Sequence, residues 1–449
     1  MKKLISLFLL MSMIIITACN DGELNSRPLP PPPPDTTESE PSGNISQEEA
    51  IAMAEKIAAD INTSGYSRAA SRMVDRTNIS VISTPNSRSG LNDTLIYLIN
   101  YTDNQGFAAI SAVKCESPIL AVIDESNYQA VKDADNPGFN MFMDMATEFI
   151  IHKREEHSQP ESRSYDIPAI ITPMLEQKIE IDTTYKSIQT PKLGNRNWGQ
   201  NGIEGSLCPN KLAGCGPVAI AMVLSYYKIP SWIGYTYPNA DIAGEDLDWD
   251  LINNHLPYSD GNCYNCSYYT HSTIARILRE IGHRADTKYK TGPTKQDTTS
   301  STSESNTKKI LQKYLPMKKV GGYSDFNETG VKSAITDGLA LIAAKSGTYS
   351  YSKFEEDGGG HGWVADGYRF ITRNLRYYEK RADESTWTFI KNETQSERLF
   401  HFNWGWHGLG NGYYSGSVFC VIYNVKNPDT GKTETKRDYY SNAKYLSIL

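Results

Sequence analysis

The chain has 449 residues, of which 39% are hydrophobic and 22% charged, and it carries a formal net charge of −7. That length suits two or three domains built as an ordinary soluble protein. The mild acidity, with no basic run, excludes nucleic acid as an expected partner.

The N-terminus reads as an export signal. Met1-Lys2-Lys3 is a positive start, Leu4 to Ile16 is an apolar run too short to span a bilayer, and Thr17-Ala18 places small residues before Cys19. The tetrad Ile-Thr-Ala-Cys resembles a bacterial lipobox. Residues 1–19 are therefore expected to be a lipoprotein signal peptide, with Cys19 as the lipid attachment point. The mature chain is expected on a bacterial outer membrane or cell surface, touching membrane only through that anchor. Residues 20–44, with Pro28 and the run Pro30 to Pro34, read as a Pro/Ser/Thr-rich tether in extended polyproline II form.

A small α+β unit is predicted over 45–155. Ser46 and Glu49 have capping-box spacing, and Ala50, Met53, Ala54, Ile57, Ala58 and Ile61 share one helical face. Strand-like runs follow at Leu95–Asn100, Phe107–Val113 and Ile119–Asp124, the first two joined by the turn Asp103-Asn104-Gln105-Gly106. A second helix is predicted from Pro137, with Phe142, Met145, Phe149 and Ile150 inward. From His152 the chain turns polar, and 156–195 reads as an exposed processing segment. One large domain is expected over 196–449, interrupted by an exposed loop at the Ser/Thr/Lys-rich stretch Thr291–Lys309.

Chemistry concentrates in four short motifs. In Gly214-Cys215-Gly216-Pro217, followed by the apolar run to Tyr227, the cysteine opens a buried helix. The helix dipole and free N–H groups there favour a thiolate and can hold an oxyanion. His361 stands in Gly358-Gly359-Gly360-His361-Gly362, where Gly360 and Gly362 let a substrate backbone approach the ring. It follows the cysteine within the span of roughly 130–150 residues found in papain-like enzymes. Asn403-Trp404 offers an amide to fix the imidazole beneath a tryptophan. Gln200, in Trp198-Gly199-Gln200, offers a second oxyanion donor. Cys263 and Cys266 have half the spacing of a zinc site, but no second pair completes it. A local disulfide or two free thiols remain open there, and neither metal nor organic cofactor is expected.

The order Trp198-Gly199-Gln200, then GCGPVAIAM from Gly214, GGHGWVADGY from Gly359 and NWGWHGLGNGYY from Asn403, resembles the streptopain family of papain-like cysteine peptidases. The resemblance implies a papain-like α+β catalytic domain behind an inhibitory prodomain at 45–155. It implies Cys215 as nucleophile, His361 as its partner, Gln200 as the oxyanion residue, and Asn403 with Trp404 as support. Gly362 stands where the family commonly has Ala, and His407 where it commonly has Gly. The activity implied is that of an endopeptidase made as a zymogen, acting on proteins or peptides through an acyl-enzyme thioester, with its own prodomain as intramolecular inhibitor. Two other outcomes compete: a different acyl transfer on the same machinery, and a catalytically silent surface lipoprotein that binds proteins.

Overall fold

The computed structural model describes residues 43–64, 72–84, 94–115, 117–158, 175–194, 196–254, 268–294, 298–345, 360–381, 385–419, 421–426, 433–438 and 443–449. The leader with Cys19, nearly all of the tether, Cys263, Cys266, Cys420, Gly358 and Gly359 lie outside these residues, as does the 159–174 part of the processing segment. Gly43–Leu449 form one compact unit.

Its N-terminal part opens with helix α1 (Gln47–Ser64). The expected capping box closes it: the Ser46 amide donates to the Glu49 carboxylate at 2.8 Å, and the Glu49 amide to Ser46 Oγ at 3.2 Å. Ala50, Ala54, Ile57, Ala58 and Ile61 are buried, on the face their spacing indicated. An antiparallel meander follows: β1 (Val74–Ser83), β2 (Thr94–Tyr101), β3 (Phe107–Ser111) and β4 (Ile119–Ile123). Helix α2 (Pro137–Ser158) packs Phe142, Met145, Phe149 and Ile150 into the core with Leu95, Leu98 and Phe107. The polar run from His152 is the end of α2, not the start of a linker. Of the segment read as exposed, 175–189 is a fifth strand, β5 (Leu175–Gln189).

The C-terminal part supplies α3 (Cys215–Tyr227), α4 (Tyr268–Arg284), α5 (Glu304–Tyr314), β6 (Val320–Asp325) and α6 (Glu328–Asp337). Strands β7 (Leu339–Lys345), β8 (Gly360–Arg381), β9 (Thr388–Asn403), β10 (Gly412–Ser415) and β11 (Lys444–Ile448) complete the fold. All eleven strands join one sheet in the order β1-β2-β3-β4-β10-β9-β8-β7-β11-β6, with β5 alongside β8. Side chains alternate across a strand, and β7 shows what each face buries. Leu339 and Leu341 join the core of α3, α4 and α5, whereas Ala340 and Ile342 join the core of α2 and α6. The architecture is thus α+β, with helices on both faces of an antiparallel sheet.

The seam between the two parts is a strand pair. In β4 and β10, Ala121, Val122 and Ile123 sit opposite Tyr414, Tyr413 and Gly412. The N-terminal meander is therefore continuous with the sheet that carries the candidate histidine.

Candidate active site

Cys215 is the first residue of α3, half-buried, behind Gly214 at φ +93°. That left-handed backbone favours glycine, and crowding removes any alternative. A Cβ at Gly214 would lie 2.9 Å from Ser300 Cβ, and one at Gly216 would lie 2.7 Å from Thr302 Cβ. Of the Ser/Thr-rich stretch expected as an exposed loop, 298–303 forms a strap beside the cysteine, with Thr299, Ser301 and Ser303 exposed and Ser300 and Thr302 turned toward Gly214 and Gly216. Its residues Thr299–Ser301 pair with Lys288–Lys290, and Glu304 begins α5. Small hydroxyl side chains explain the placement: Ser300 Oγ donates to Leu212 O at 2.7 Å, the Thr287 and Thr302 hydroxyls meet at 2.8 Å, and Asn210 Nδ2 donates to Thr299 O at 2.8 Å.

His361 sits at the start of β8, opposite Ala344 of β7, and is buried. The His361 ring and the backbone amides of Gly362 and Gly216 lie near the Cys215 thiol and favour its ionised form. Burial pushes the thiol pKa up, but the His361 ring and the two amides outweigh it and hold the thiol below its ordinary value. Gly360 is exposed at the mouth of β8, and Gly362 is half-buried beside the ring. The imidazole runs nearly parallel to Trp363, 6.1 Å away with 21° between planes.

The group that fixes this ring differs from expectation. His361 Nε2 lies 3.1 Å from the main-chain carbonyl of Trp404. Asn403 is turned elsewhere: its Nδ2 donates to Arg196 O at 3.0 Å, and its Oδ1 accepts from Gly405 N at 3.1 Å. Asn403 therefore supports the 196–201 stretch and the glycine turn, not the imidazole. Trp404 is fully buried, its indole donating to Gly410 O at 3.0 Å.

Gln200 is buried, and its Nε2 has no hydrogen-bond partner among the described residues. Its main-chain carbonyl accepts from Ala213 N at 2.7 Å, which ties it to the approach to Cys215. An orphan buried amide donor is costly, and here it is available for a ligand oxygen.

Gly138, in the first turn of α2, meets the site from the N-terminal part. A Cβ there would lie 2.7 Å from His361 Cδ2 and would also strike the Trp404 ring. The cap residue Asn136 accepts from Gly138 N at 3.0 Å and donates to Leu409 O at 2.8 Å. Neither Gly138 nor the strap residues Ser300 and Thr302 carry a local motif, so only the fold brings them here.

Residues 196–414 match the Peptidase C10 family model, and residues 42–150 match that of the Spi protease inhibitor. No curated protein matches. Among solved structures, a fragment of prointerpain A from Prevotella intermedia is 18% identical, with a TM-score of 0.47, covering 83% of this chain and 98% of its own. Residues 196–414 are thus a cysteine-protease domain of the C10, or streptopain, family, on an α+β fold, with an inhibitor-type propeptide at 42–150 ahead of it.

Proposed function

We propose that this protease is an exported, lipid-anchored cysteine endopeptidase whose reacting pair is Cys215 and His361. Placement carries the pair: the thiol opens α3 beside His361 at the start of β8, and the ring with two backbone amides favours the thiolate against burial. A carbonyl oxygen can only accept, so Trp404 O keeps the proton on His361 Nε2 and leaves Nδ1 to face the thiol. The proton moves from sulfur to Nδ1, and the thiolate attacks a peptide carbonyl. The Cys215 N–H and Gln200 Nε2 hold the oxyanion. His361 then protonates the leaving amine, and water, deprotonated by the same ring, hydrolyses the thioester.

In the assembled chain the propeptide occupies this ground, with Gly138 against His361 and Trp404. That contact supports latency until the propeptide is displaced. Export and the lipid at Cys19 rest on the leader sequence alone.

The test is a comparison of Cys215→Ala and His361→Ala with the parent chain. Casein digestion and labelling by a thiol-reactive peptide probe should both vanish in Cys215→Ala, and digestion in His361→Ala. Casein cleavage that survives either substitution would sink the reading.

A further inference from the structure

His407 occupies a left-handed position, φ +56°, uncommon for a residue other than glycine. Its surroundings show what holds it there. The His407 amide faces Trp198 O at 3.2 Å. Its Nε2 lies 2.6 Å from Asn201 Oδ1, and its ring fills the space that a Cβ on Gly199 would need. His407 therefore grips the residues on both sides of Gln200. Neighbouring contacts extend the grip backwards, because Asn411 Nδ2 donates to Asn197 Oδ1 at 3.3 Å and Asn403 Nδ2 to Arg196 O.

We propose that His407 is a positioning residue: it fixes the Trp198–Asn201 stretch so that the Gln200 amide points at the developing oxyanion. The proposal rests on the reading of Gln200 as an oxyanion donor. Asn201 Oδ1 accepts, so Nε2 of the neutral ring carries the proton and Nδ1 faces Glu204 Oε1 at 3.8 Å. Glu204 stands on the short helix Gly202–Gly205, and His271 of α4 approaches the same oxygen at 3.9 Å. Burial lifts Glu204 to about 7. Burial, with His271 beside it, keeps His407 below its ordinary value. Both shifts favour the neutral ring, with Nε2 as its donor.

The experiment compares kcat and KM for a peptide amide substrate in His407→Gly, His407→Gln, Gln200→Ala and the double variant Gln200→Ala/His407→Gly. Each is made as the full chain, processed to activity, and normalised by titration of reactive Cys215. Glycine suits the backbone angle, so His407→Gly keeps the fold and loses only the ring. We expect kcat to fall about 10-fold or more with KM within about twofold, since loss of an oxyanion donor costs about 10²–10³ and misplacement costs a share of that. His407→Gln, which can still donate to Asn201, should recover most of the loss, and the double variant should be no slower than Gln200→Ala. Wild-type kcat in His407→Gly beside a slow Gln200→Ala overturns the proposal, as does a double variant whose losses multiply. A Gln200→Ala enzyme at the wild-type rate instead overturns the oxyanion reading beneath it.

Discussion

At the scale of single residues, the Trp404 carbonyl does work usually assigned to a side chain. The sequence pointed to Asn403-Trp404 through side-chain identity, and a main-chain oxygen leaves no such trace. That Cys215 and His361 come together was legible in the glycines that flank each of them and in the apolar helix behind the cysteine. The structure makes Asn403 a support for the loop. Asn403→Ala should therefore cost about 1–3 kcal/mol of stability through two orphaned backbone groups, and lower kcat/KM by less than about 10-fold. A loss of about 10² or more, in a variant with native melting behaviour, would restore Asn403 as the orienting group. Gly362 is a second case. A Cβ there would meet only Ile342 O, at 3.7 Å, an ordinary contact. Gly362→Ala keeps the amide that faces the thiol, so its kcat/KM should stay within about threefold of the parent, and a larger loss would show that backbone freedom matters here.

At the scale of elements, α3 and its strap are fitted to each other through the two glycines that flank Cys215. Gly216→Ala drives a methyl against Thr302, and overpacking of this kind costs about 1–3 kcal/mol. Melting temperature and probe labelling should both fall, and Thr302→Gly in the same chain should restore part of each. If the double variant gains nothing, the strap is not what confines the helix start. Elements with a strong period were legible: α1 and α2 follow their apolar stripes, and β2 to β4 their apolar runs. Strand β1 was missed because its middle, Arg76-Thr77-Asn78, is exposed and polar at the sheet edge. The strap was misread for a related reason. Serine and threonine satisfy backbone groups in a fold as readily as they meet water, and composition cannot separate the two.

At the scale of the whole molecule, two buried charge networks cross between propeptide and enzyme. Asp60 of α1 accepts from Arg369 at 3.0 Å and from Arg373 at 3.1 Å, and Glu397 neutralises both from the other side. His401 lies between Asp366 of the enzyme, at 2.6 Å, and Asp124 of the propeptide, at 2.9 Å. Burial opposes its charge, but Asp366 and Asp124 outweigh burial and lift its pKa to about 10. A raised histidine pKa stabilises the assembled chain fully below the ordinary value near 6.5, and the contribution fades as pH rises through about 10. The Cys215→Ala chain, which lacks the proposed nucleophile, should therefore lose melting temperature between pH 7 and pH 10. Asp124→Asn should flatten part of that slope, and an unchanged slope would remove Asp124 from the account. None of these partners was legible, because Asp60, Asp124, Asp366 and His401 sit on separate elements that only the completed sheet brings together.

The strand pair between Ala121–Ile123 and Gly412–Tyr414 has one more consequence. Cutting the chain between the two parts severs a peptide bond but leaves that ladder and the common core intact. Once the propeptide leaves, β10 becomes a bare edge, the kind of surface that pairs with any strand offered to it. The propeptide strand already fits that edge, so cutting alone leaves the two parts paired.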